Sequence, residues 1–304
     1  MEDKHSHDYN KIQGRNLLWA TLLNAGISIV QVIGGLASNS LSLLSDALHN
    51  LGDSSALFIA FLANKIARKK PDIRNTFGYK RIEILAALFN GVVLIAICLF
   101  LFYEAYERFV SPSPVSSGIM LIVASFGLLA NLISIFILQK GRKDNLNVKT
   151  AYLHLLGDTL SSVAVIIGGI IMQLSGIYWI DPLISVLVGI YIIYHTWGVV
   201  KETVDILMQA TPKDIDINKV CSEILKIPEV ENVHHVHVWK LSDAQTHFEA
   251  HINLINNINI KDTVAIKDSI KNLLKKDFNI SHVTVQFEYG QCKEQSGIIP
   301  DKEN

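Results

Sequence analysis

Ser45-Asp46-Ala47-Leu48-His49-Asn50-Leu51-Gly52-Asp53-Ser54 is a polar interruption in a long apolar stretch, and Ala151-Tyr152-Leu153-His154-Leu155-Leu156-Gly157-Asp158-Thr159 repeats its chemistry. In both, His and Asp stand four residues apart, about one helical turn, so imidazole and carboxylate share a helix face. The pattern His-x-Leu-Gly-Asp-Ser/Thr recurs at a constant offset of 105 residues, His49 to His154 and Asp53 to Asp158. An ionisable group in hydrocarbon costs at least ~2.5 kcal/mol, so such groups face cavities and mark pathways.

The surroundings of both runs are those of a membrane protein. Of 304 residues 50% are hydrophobic and only 18% charged, and the mean hydropathy is +0.31; a soluble domain carries about 25% charged residues. Residues 16–45, 84–103, 116–139 and 183–200 contain no Lys, Arg, Asp or Glu, and a helix of ~20 apolar residues crosses the bilayer core. Six spans are expected, at about 16–37, 41–64, 82–104, 117–139, 149–173 and 178–200. A soluble helical bundle would be left almost without a polar face. The net charge of -1 offers no attraction for nucleic acid. Cys98, Cys221 and Cys292 have no paired spacing, so no disulfide framework is expected.

Basic residues accumulate in cytoplasmic loops. Lys65, Arg68, Lys69, Lys70, Arg74, Lys80 and Arg81 follow the second span, Lys140, Arg142, Lys143 and Lys149 the fourth, and the opposite loops hold only Arg108. Both termini are therefore expected in the cytoplasm, with spans 2 and 5 crossing in opposite directions. The matched runs then read as an inverted repeat, spans 1–3 against 4–6, which places a substrate site near the midplane.

Apposed, the two faces offer two imidazoles and two carboxylates. Four N/O ligands suit tetrahedral Zn²⁺ better than an alkali cation or Ca²⁺, and the lack of thiolate argues against Cu(I). Intrahelical hydrogen bonding and a metal-free proton relay are the competing readings. Asp46 has Ala151 at the equivalent position of span 5 and reads as an entrance or helix-start residue; Asn24, Gln31 and Asn131 read as interhelical hydrogen-bonding groups.

Beyond span 6 the periodicity becomes that of a soluble unit. Residues 214–226 and 264–278 have helical spacing, while 233–240, 246–255 and 282–289 alternate as strands. Helix, strand, strand, helix, strand is an α+β unit. His251 projects opposite to Phe248, Ala250 and Ile252, and Glu288 opposite to Val285 and Phe287, so both leave the core. The domains are expected at 16–203 (membrane) and 204–290 (cytoplasmic), with a cytoplasmic tail at 1–15 and a flexible tail at 291–304.

These motifs resemble the cation diffusion facilitator family over nearly the whole chain, nearest its bacterial zinc, cobalt and cadmium exporter branch. The carriers are LSLLSDALHNLGD, TFGYKRIEILAALFNG, YLHLLGDTLSS, Asp181-Pro182, VHHVHVWKL and HVTVQFE. The resemblance implies a homodimer in the lipid bilayer, with the bacterial inner membrane as its expected location, six spans per protomer and a ferredoxin-like cytoplasmic domain that binds further metal. It implies a divalent cation exporter, a Zn²⁺/H⁺ antiporter working by alternating access rather than an enzyme, with Co²⁺ or Cd²⁺ as other cargoes. His49, Asp53, His154 and Asp158 map to the transport site, and His234, His251, His282 and Glu288 to the cytoplasmic one. The chain departs from many relatives in lacking a His-rich loop between spans 4 and 5. An intramembrane zinc metalloenzyme and a non-transporting metal sensor are the rivals; no HExxH is present, and a metalloenzyme would leave the repeat unexplained.

Overall fold

The computed structural model describes residues 22–139, 146–243 and 245–290. The start of the first expected span, part of the loop after the fourth, and the tail from Gln291 lie outside them. The chain divides into two compact units, one formed by the chain up to Leu62 with Ala86–Val200, the other by Ala63–Leu85 and the chain from Lys201 onward.

The first unit is helical. It is built from α1 (Leu22–Ser38), then α2 (Leu41–Ala67), α3 (Arg81–Val110), α4 (Ser117–Gln139), α5 (Leu146–Ser175) and α6 (Ile180–Leu207), the ends of α2, α3 and α6 lying in the second unit. Among the described residues, four segments are long and apolar enough to cross a membrane: Arg81–Val110, Ser117–Gln139, Tyr152–Ser175 and Ile180–Leu207. The described part of α1 is shorter. Although 27 residues long, α2 is set apart by composition, since Asp46, His49, Asn50 and Asp53 lie within it.

The turn between α1 and α2 has little room, and Asn39 closes it with a left-handed φ of 55°, a conformation Asn tolerates better than most residues. The first amides of α2 lack intrahelical partners, and Asp181 at the start of α6 supplies them. Its carboxylate accepts from Leu41 N (2.6 Å), Ser42 N (3.2 Å), Ser40 Oγ (2.7 Å) and Ser42 Oγ (2.6 Å). Arg108 Nη1 lies 3.8 Å from the same carboxylate. One turn on, the Ser45 and Ser185 hydroxyls meet at 2.6 Å, so α2 and α6 are joined twice. At Gly127, α4 comes so close to α1 that a Cβ would overlap the Gln31 amide.

The second unit contains α7 (Ile217–Ile224), β1 (Val230–Ser242), β2 (Gln245–Leu254), α8 (Thr263–Phe278) and β3 (His282–Tyr289). Asp216 caps α7 by accepting from Asn218 N and Lys219 N. The sheet has the order β1-β2-β3, antiparallel then parallel. Val233, Val238, Phe248, Ala250 and Ile252 pack with Ile266, Ile270 and Leu274 of α8 in one core. The alternation expected across 233–240 is broken by a bulge between His234 and His237, where His235 has φ 52°. A bulge re-aims side chains, and here His234 and Val236 are buried with His235 half-buried between them.

Asp181→Ala is expected to destabilise the protein by about 3 kcal/mol, because it strips a buried guanidinium contact and leaves helix-start amides unpaired. Ser45→Ala removes one hydroxyl pair and should cost about 1 kcal/mol. Thermal unfolding in detergent separates the two.

Candidate metal centres

The duplicated His-Asp turns meet in the helical unit. His49 Nδ1 lies 3.4 Å from Asp53 Oδ2, and His49 Nε2 lies 3.6 Å from Asp158 Oδ1. His154 Nε2 lies 3.1 Å from Asp53 Oδ2 and 3.6 Å from Asp158 Oδ2. The contacts between helices are thus as short as those within them, and the imidazoles stand edge to face with centroids 6.0 Å apart. Around a tetrahedral zinc, bonds of ~2.0–2.2 Å place neighbouring ligand atoms about 3.3–3.6 Å apart. The observed contacts of 3.1–3.6 Å fall in this range pair by pair, but His49 faces Asp53 through Nδ1 and Asp158 through Nε2, so the four are not the edges of a single tetrahedron and a bound ion would take one of the two nitrogens.

His49 Nδ1, Asp53 Oδ2 and Asp158 Oδ2 are buried and make no hydrogen bond among the described residues. Buried polar atoms are normally satisfied, so these are ligand atoms with bonding capacity to spare. Ligand atoms of His49, Asp53 and Asp158 all lie within 4.8 Å of one another. Accessibility grades through the cluster: the side chains of Asp158 and His49 are 2% and 10% exposed, those of Asp53 and His154 26% and 45%. Asp46, expected at an entrance, is buried instead, against Ser161, Ser162 and Gln31.

The sheet carries a second cluster. His251 Nδ1 is 2.9 Å from Glu288 Oε1, and His234 Nε2 is 3.3 Å from Glu288 Oε2. Neither ring nitrogen of the buried His234 makes a hydrogen bond among the described residues. Direct pairing of His234 with His251 across β1 and β2 sets this arrangement. His282 stands elsewhere. It pairs with His247 across β2 and β3, ring centroids 4.5 Å apart, and six residues of strand, about 20 Å, separate it from Glu288. His235, left out of the expected ligands, lies 4.7 Å from His251 by ring centroids, brought there by the bulge.

His247 is also stacked on Trp239 and touched by the edge of Phe77. Burial, then His282 and Lys80, push its imidazole below the ordinary value of 6.5. The folded state therefore binds this proton less readily than the unfolded state, and the contribution of His247 turns unfavourable as pH falls through and below that value.

Two clusters of His, Asp and Glu, one among apolar helices and one on a small α+β sheet, have the chemistry to hold a metal ion. The chain belongs to the cation efflux family: the cation efflux transmembrane domain model matches residues 17–208 and the cation efflux protein cytoplasmic domain model residues 212–289. This is a family of transporters, not enzymes. The chain is 39% identical over 290 residues to the cation efflux system protein CzcD of Alcaligenes sp. (strain CT14), covering 95% of this chain and 91% of that one. It is 40% identical over 301 residues to the zinc transporter ZitB of Escherichia coli (strain K12), covering 96% and 94%. A cadmium, cobalt and zinc/H(+)-K(+) antiporter of Bacillus subtilis (strain 168) is 38% identical over 301 residues, covering 98% and 96%.

Glu288→Ala, in a background lacking His49 and Asp158, is expected to weaken zinc binding more than about tenfold, whereas His282→Ala leaves it within about twofold; calorimetry checks both. His247→Phe should flatten the loss of stability of the cytoplasmic unit between neutral pH and pH ~5, followed by pH-dependent thermal unfolding.

Proposed function

We propose that the protein exports divalent transition-metal cations, chiefly Zn²⁺ with Co²⁺ and Cd²⁺ as further cargoes, in exchange for protons. The observation that carries this reading is the approach of His49, Asp53, His154 and Asp158 to within 3.1–3.6 Å of one another in pairs among apolar helices, with buried ligand atoms that make no hydrogen bond among the described residues. The activities named for the relatives from Escherichia coli and Bacillus subtilis point the same way.

In this reading six spans of an inverted repeat form residues 16–203, and residues 204–290 form a ferredoxin-like cytoplasmic domain. Both termini face the cytoplasm of a bacterial inner membrane. Two protomers assemble through the cytoplasmic domains, as the name of the matching ZT_dimer model suggests. His234, His251 and Glu288 hold a resident metal on the cytoplasmic domain, where it supplies positive charge between carboxylate and imidazoles.

An imidazole with an ordinary pKa near ~6.5 accepts metal only after releasing its proton, so metal and proton compete for one site. His154 and Asp53 are the accessible members and lie toward the basic loop after α2, so this conformation admits metal from the cytoplasmic side. Closing that end and opening the other exposes the bound metal to outside protons, and protonation displaces it. A proton gradient thereby drives export.

In proteoliposomes, Zn²⁺ flux should stop when an imposed pH gradient is collapsed; flux that persists overturns the antiport. Asp158→Ala should abolish flux while leaving zinc bound at the cytoplasmic site. His49→Asp replaces a borderline nitrogen with a hard oxygen and should lower the Zn²⁺/Cd²⁺ selectivity ratio, measured by competition flux.

A further inference from the structure

Asp46 is a further carboxyl group in the helical unit, outside the four proposed ligands and one turn before His49. It is 1% exposed. Its Oδ2 accepts from Ser162 Oγ at 3.0 Å and from Gln31 Nε2 at 3.2 Å, and its Oδ1 is in hydrogen-bond contact with Ser161 Oγ. That same Ser161 oxygen lies 2.9 Å from the backbone carbonyl of Asp158.

Counting hydrogens over these contacts bears on the state of the acid. A serine hydroxyl has one hydrogen to donate, and the Asp158 carbonyl has none. If Asp46 were ionised, the single Ser161 hydrogen would be shared between two acceptors in a weaker three-centre bond. With a hydrogen on Asp46 Oδ1 every contact is satisfied: Asp46 O–H donates to Ser161 Oγ, and Ser161 O–H donates to the Asp158 carbonyl. Ser162 and Gln31 both donate to Oδ2, now the carbonyl oxygen of the acid.

A buried carboxylate away from the ligand cluster, Asp181, gives the contrast. Asp181 receives four N–H and O–H donors and a guanidinium, the environment of a held negative charge. Every direct partner of Asp46 is uncharged: Gln31 from α1, Ser161 and Ser162 from α5. The ionisable groups that act on it are His49 of its own helix and Asp158 of α5. His49 is already directed at Asp53 and Asp158, and Asp158 repels a second negative charge. An unpaired buried carboxylate is costly, and taking up a proton removes the cost.

We propose that Asp46 holds an exchangeable proton, at a site distinct from the metal ligands and linked through Ser161 to the turn that carries Asp158. A divalent cation at His49 and Asp158 lies about a helical turn away, ~5–6 Å, and its field favours release of that proton as H⁺. Asp46 thereby adds one proton to those exchanged for each metal. This coupling role rests on the proposed antiport; the protonated acid does not.

Infrared difference spectroscopy of the full-length protein in liposomes, with and without Zn²⁺, tests the proposal. The wild type should show a protonated-carboxyl C=O band that is lost on Zn²⁺ addition and shifts in D₂O. D46N, whose amide reproduces the donor and acceptor of the neutral acid, should fold, lack this band, and exchange one proton fewer per zinc. S161A keeps the acid but removes its acceptor, and should move the band to higher wavenumber, so the test survives even if D46N is unstable. Absence of the band in the wild type, or its persistence unchanged in D46N, overturns the proposal. A wild type that keeps the band and loses it in D46N, yet transports without regard to a pH gradient, overturns the antiport while supporting the protonated Asp46.

Discussion

Every polar group that enters the hydrocarbon must find its partner inside the protein, and most of the architecture of the helical unit follows from how α2 meets this demand. It carries Asp46, His49, Asn50 and Asp53 within eight residues, too many to satisfy along one helix. Its partners come from elsewhere: Gln31 from α1, His154, Asp158, Ser161 and Ser162 from α5, and Asp181 and Ser185 from α6. Close approach at Gly127 lets α4 pack behind Gln31. A helix too polar to cross a membrane by composition is thus completed by its neighbours.

The partners of α2 fall into two kinds. At its start the acceptor is Asp181, which saturates amides and hydroxyls and is itself balanced by Arg108. These contacts give no reason to exchange anything. Further along, the His49, Asp53, His154 and Asp158 atoms are close to one another but incompletely bonded, which is the condition a site needs if it is to take a cation and give it back. Stability is concentrated at the anchored end of α2, and unsatisfied bonding capacity at its middle.

How much of this was legible in the sequence depends on whether the signal was local. The His-x-Leu-Gly-Asp turns were legible because helical spacing alone puts His49 beside Asp53 and His154 beside Asp158, and the structure brings the two turns together. The strands and helices after α6 were legible from periodicity, and the opposed faces of Phe248 and His251 placed His251 correctly with Glu288. Asp46 was misread as an entrance group because its partners lie 115 and 116 residues away and no local pattern announces them. His282 was grouped with Glu288 on the strength of a resemblance, whereas strand register sets it beside His247. His235, one of several histidines that the sequence offers in this domain, was left out of the expected ligands because a bulge obeys no two-residue period.

The same distinction explains why the repeat is informative where it fails. Antiparallel packing brings position 46 of α2 against positions 161 and 162 of α5, so the matching contact would set position 151 against 56 and 57. Those positions hold Ala151, Ala56 and Leu57, none of which offers a side-chain hydrogen bond. The hydrogen bonds of Asp46 to α5 therefore have no counterpart in the residue types at the repeat-related positions. A site with a carboxyl behind it on one side and none at the matching position on the other is not equivalent in its two directions, so its proton and metal affinities are free to differ between its two faces, while the metal and proton gradients set the direction of net exchange.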